Sequence, residues 1–228
     1  MERKIFLTVL IGSLLFILIA LLIPGRRVDQ DPKVPWKIIT DGQGNSMVFG
    51  LELGKSPLTA AQKIFEDEGE VSLMIGKTGK KTLEAYFDRI FLNGLRGNFV
   101  LTLDLKPDTI EEMYHRGLRL SALDSGNKKV TLSPDDLRAV GQAPIIHITY
   151  LPGTDLPEGL LTERFGKPEQ IFPEPESKIR HWLYPSKGLD IAVDPERKEV
   201  FQYVRPADFE RFIAEPLKNA PQSEATEK

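Results

Sequence analysis

Few side chains of this chain are placed to do chemistry that the sequence alone can reveal. Its three histidines, His115, His147 and His181, include no pair four residues apart, so the helical zinc-binding pattern is missing. In Ile145-Ile-His-Ile-Thr-Tyr150 strand alternation puts His147 on the face of Ile145 and Thr149, a half-buried or surface position. In a later strand His181 faces away from Trp182, and His115 falls at the end of a helix. Ser46, in Gly44-Asn-Ser-Met-Val48, lacks the second glycine of a nucleophile elbow. A triad gathered from distant parts of the chain stays open, as does a glycosidase-type pair of carboxylates.

The carboxylates cluster in two places. Asp135-Asp136 stands at a helix start, where the dipole favours it, whereas Glu66, Asp67, Glu68 and Glu70 stand at a helix end, where the dipole opposes them. That second patch is a candidate partner contact or weak cation site, set against a simple solvated face. Trp182 and Tyr184 are the candidate aromatic ligand contacts, set against an ordinary place in the core. Two near-matches to a phosphate loop fail: Gly50-Leu-Glu-Leu-Gly54-Lys55-Ser56 has one residue too few between its glycines, and Gly76-Lys77-Thr78 has Val71 where the first glycine belongs. Gly42-Gln-Gly44 has Met47 in place of the third glycine of a dinucleotide fingerprint. No segment has the calcium-loop spacing. Without cysteine there is no thiolate nucleophile or zinc ribbon. A net charge of -3 with no basic stripe argues against nucleic acid. No catalytic residue, nucleotide, metal or cofactor is therefore assigned.

The elements that must carry these residues alternate single helices with groups of two or three strands. Ser56-Pro57 and Ser133-Pro134 each read as a serine cap followed by proline in the first turn, and Asp108-Thr-Ile-Glu111 reads as a capping box. Strands are expected over Val71 to Ile75, Thr82 to Phe87, Asn98 to Leu105, Ile145 to Leu151, Arg180 to Tyr184, Leu189 to Val193 and Val200 to Val204. A helix is expected from Leu156-Pro157 to Phe165, and a closing one over Pro206 to Ile213. This grammar predicts an α+β fold with antiparallel sheets.

Every residue from Ile5 to Ile23 is uncharged and most are aliphatic, a length that matches the roughly 30 Å hydrocarbon core of a bilayer. Leu21-Leu-Ile-Pro24 offers no small-residue cleavage site, so an uncleaved, single-pass signal anchor is expected. The flanking charges nearly tie, and the short leader favours a cytoplasmic N-terminus. The expected organisation is a leader over 1–4, an anchor over 5–24, a tether over 25–35, a first α+β module over 36–132, a second over 133–213 and a flexible tail over 214–228.

The two modules echo each other. A proline-opened helix, the strand Leu83-Glu-Ala-Tyr-Phe87 and the strand Gly97 to Asp104 match, in order, a helix ending in Phe165-Gly-Lys-Pro168, the strand His181-Trp-Leu-Tyr184 and the segment Gly188 to Asp194. Together with Val200-Phe-Gln-Tyr-Val204, the second set resembles the SmpA/OmlA (BamE-like) bacterial envelope domain over about Ile145 to Val204. The resemblance implies a bacterial cell envelope and an assembly accessory rather than an enzyme. The family type sits on an N-terminal lipidated cysteine, which this chain lacks. The expected function is thus a non-enzymatic, inner-membrane-anchored periplasmic protein that binds other envelope proteins. A membrane-anchored hydrolase of a cell-wall or lipid substrate is the alternative, with a small-ligand sensor as a third reading.

Overall fold

A computed structural model describes residues 33–174 and 177–219. The expected anchor, Ile5 to Ile23, lies outside the described residues, and among those no helix is long and apolar enough to cross a membrane. A short three-stranded sheet comes first, with β1 (Ile39–Thr40), β2 (Ser46–Val48) and β3 (Leu51–Glu52). There follow α1 (Leu58–Phe65), β4 (Glu70–Ile75), β5 (Lys81–Leu92), β6 (Leu95–Leu103), α2 (Pro107–His115), β7 (Arg119–Ala122), β8 (Lys128–Thr131) and α3 (Pro134–Val140). The second half adds β9 (Ile145–Pro152), α4 (Glu158–Phe165), β10 (Gln170–Pro173), β11 (Arg180–Tyr184), β12 (Leu189–Val193) and β13 (Val200–Val204). It closes with a strap of short helical turns over Pro206–Ala214 and α5 (Glu215–Lys218). The fold is α+β, as expected.

β4 to β13 form one antiparallel sheet in the order β10-β11-β12-β13-β9-β6-β5-β4-β8-β7. β9 joins its halves, pairing with β6 through Phe99↔Tyr150 and with β13 through Phe201↔Tyr150. Period-two alternation gives the sheet two unlike faces. One carries the main core, where Phe87, Phe99, Tyr150, Phe201 and Tyr203 are buried. Phe65, the last residue of α1, packs 4.6 Å from Phe99, and Phe165, the last of α4, packs 5.6 Å from Phe201. Phe49, on the tight turn between β2 and β3, meets Phe99 edge-on at 5.1 Å. Aromatic pairs of this kind add to burial alone.

A helix ending in a core phenylalanine thus repeats on either side of β9, yet the correspondence differs from the sequence match. Adjacency to β9 equates β13, not β12, with β6, because β10 inserts an extra strand directly after α4. The expected caps also divide. Ser133 caps α3 by accepting the Asp136 amide at 3.2 Å, and Asp136 holds Arg116 at 2.8 Å, tying α3 to the end of α2. By contrast Pro57, not Ser56, is the first residue of α1's boundary, and Ser56 Oγ accepts the Glu52 amide instead. The capping box at Asp108 does not form: α2 starts at Pro107, and Glu111 pairs with Lys81 at 2.7 Å.

Candidate functional site

The second face of the sheet carries the groups with chemical potential. Asp190 is fully buried on β12, and His181 on β11 approaches it diagonally, with Nδ1 2.9 Å from one carboxylate oxygen and 3.1 Å from the other. Gln202 on β13 donates to the same carboxylate at 3.0 Å. His147 on β9 is the next residue in this row, and the Gln202 side chain also hydrogen-bonds to it. A polar line, His181–Asp190–Gln202–His147, therefore crosses four adjacent strands. Burying a charged carboxylate is costly unless hydrogen bonds satisfy it, and two neighbours do so here.

His147 reaches this face by an irregularity. β6 and β9 shift register between Thr102 and Leu103, so Thr102 pairs with His147 while Leu103 pairs with Ile145. Ile145 and Ile148 are both buried in the main core, and His147 projects oppositely. The expectation that His147 and Ile145 share a face is corrected by this bulge, since one extra residue inverts every position before it. His147 Nε2 is buried and has no hydrogen-bond partner. Desolvation lowers the imidazole pKa from 6.5 to about 4, against a smaller opposing effect of Gln202, so the ring is neutral at ordinary pH.

The strap lies over part of this face. Phe209, Ile213 and Ala214 are buried against Leu183 and Val204, a second apolar cluster beside the polar line. Near the far end of β13, Glu199 is 4% exposed and accepts the Leu156 amide at 3.0 Å. Burial pushes its pKa up, and the neighbouring Asp155 adds to the effect. Neither histidine is hydrogen-bonded by a serine or threonine hydroxyl among the described residues, so the row has a base and an orienting acid but no nucleophile in place.

The two candidate groups read from sequence lie apart, with five strands between β4 and β11. Glu66 ends α1 in the left-handed conformation at φ 53°, Asp67 accepts the Gly69 amide at 2.7 Å, and Glu70 pairs with Lys129 on β8. The backbone carbonyl of Glu68 accepts from Gln62. Trp182 and Tyr184 are 4% and 1% exposed, and Tyr184 lies 6.4 Å from Phe165 of α4 with its hydroxyl donating to the Gly166 carbonyl. Burial pushes the Tyr184 hydroxyl up to about 12. Sequence reasoning does not reach Asp190 or Gln202; a lone carboxylate within the otherwise apolar Leu189-Asp-Ile-Ala-Val193 was the available signal.

A different surface stands at the end of the sheet. β7 pairs with β8 alone among the described strands, leaving its outer edge without a partner. Leu118 and Leu120 are 64% and 52% exposed there, and Leu123 follows at 36%. Comparison with family models, curated proteins and solved structures finds no match.

Proposed function

We propose that this chain is a single-pass inner-membrane protein whose periplasmic α+β region, built from two BamE-like helix-and-meander modules, binds other envelope proteins as an assembly or scaffold accessory. The observation that carries this reading is the β7 edge. An unpaired strand with exposed leucines is a surface that natural sheets usually blunt or cover, and an extended segment can add to it by backbone pairing. Arg119 on β7 and Lys128 on β8 favour a segment that carries acidic residues among its apolar ones. The apolar run Ile5 to Ile23 supplies the anchor, and tethering raises the effective concentration of a partner in the same membrane, so modest contacts suffice.

The test is crosslinked copurification from mild detergent, comparing the native chain with Ala122→Pro, which removes an amide on the outer side of β7, and with Leu120→Lys. Both changes should abolish recovery of a partner while the protein remains folded and in the membrane fraction. Full recovery with both variants would exclude the edge, and a reporter fused after Lys228 that is active only in the cytoplasm would reverse the topology. The anchored-hydrolase reading has support in the His181–Asp190 pair, but it needs a nucleophile or activated water that this row does not hold.

A further inference from the structure

β5, β6 and β9 end together at a cavity of about 510 Å3, with the start of α2 on one side and the C-terminal strap on the other. That volume is typical of small-molecule sites, which span roughly 300–1,000 Å3. Part of the lining is apolar, from Leu105 and Ile110 at the head of α2, Ile146 on β9 and Phe212 on the strap. Four cationic side chains also line it. Lys81 is engaged by Glu111 at 2.7 Å and Arg205 by Asp208 at 2.6 Å. Lys80 and Arg211 have no carboxylate partner among the described residues, and Asp104 is the one further carboxylate in the lining.

One further feature favours negative charge. α2 begins without a side-chain cap, so its first amides are left to whatever stands before them, and Pro107 and Ile110 of its opening turn line the cavity. His147, also in the lining, keeps the buried Nε2 that has no partner.

We propose that this cavity binds a small organic anion, a carboxylate or phosphate head on an apolar body. Lys80 and Arg211 hold the charge, and Leu105, Ile110, Ile146 and Phe212 take the body. The site is separate from the β7 edge and does not depend on it.

The experiment uses the full chain in nanodiscs of zwitterionic lipid, titrated calorimetrically with phenyl phosphate, with hexanoate and, as the neutral control, with hexanol. Saturable binding of at least one anion, one per chain, is expected, with much weaker binding of hexanol. The exposed pair Lys80→Ala and Arg211→Ala, combined, should weaken it roughly tenfold or more without shifting the melting temperature. Failure of both anions to bind, equal binding of hexanol, or unchanged affinity in the double variant would overturn the proposal; whichever head binds tighter identifies the class of ligand.

Discussion

Replacing His147 by leucine should flatten the acid side of this protein's stability profile. The imidazole titrates at 6.5 when solvated and at about 4 in the fold, because burial disfavours its charged form. The unfolded chain therefore takes up the proton first as pH falls. Stability from this group is complete above 6.5, falls as pH drops from 6.5 towards 4, and is constant below that. At about 1.4 kcal/mol per pH unit, the interval corresponds to about 3 kcal/mol. Leucine has no proton to take up and suits the site beside Val204 and Thr102, so at neutral pH the variant should be about as stable as the native chain. The assay is urea unfolding of the segment from Lys33 onward at intervals from about pH 7 to about pH 4. Every other ionisable group is the same in both proteins and cancels in the difference. If the two stability curves run parallel across that interval, His147 is not held in a desolvated place and the reasoning fails.

Three other outcomes follow from particular contacts. Glu199→Gln keeps an acceptor for the Leu156 amide and removes the charge that burial and Asp155 disfavour, so it should raise the melting temperature near pH 8 more than near pH 5; an equal shift at both would show that Glu199 is comfortably ionised. Gly188→Ala puts a methyl 2.0 Å from the Val204 carbonyl oxygen at a φ of 65°, and should cost at least about 3 kcal/mol in denaturant unfolding. Trp182→Ala should cost about 3–5 kcal/mol, because a ring 4% exposed leaves a cavity, while Lys187→Gln should change melting little.

Much of the sheet is legible in the sequence because its strands obey a simple pattern. Phe99, Leu101 and Leu103 alternate on β6 as a half-buried strand requires, and Leu189 to Val193 and Val200 to Val204 fall where apolar alternation places them. β10 escapes notice because Gln170-Ile-Phe-Pro173 is short, ends in proline and lies at the sheet's edge, with Ile171 53% exposed. The site was less legible. His147 could be found on its strand but not assigned to the correct face, since the bulge that turns it depends on pairing with Thr102 and Leu103, more than forty residues earlier in the chain. Lys80 and Arg211 carry no local pattern at all; they meet only because the strap returns over the ends of strands formed long before it.

The place of β9 has a consequence for how the molecule comes into being. Its inner neighbour β6 precedes it in the chain, so one side can pair as soon as β9 is made, but the other side waits for β13. Until Phe201 arrives opposite Tyr150, a strand that ends at the very centre of the finished sheet is an apolar edge open to any passing extended chain. The interval spans the synthesis of α4, β10, β11 and β12, and it makes the middle of the protein, not its margins, the part most exposed to wrong pairing while the chain grows.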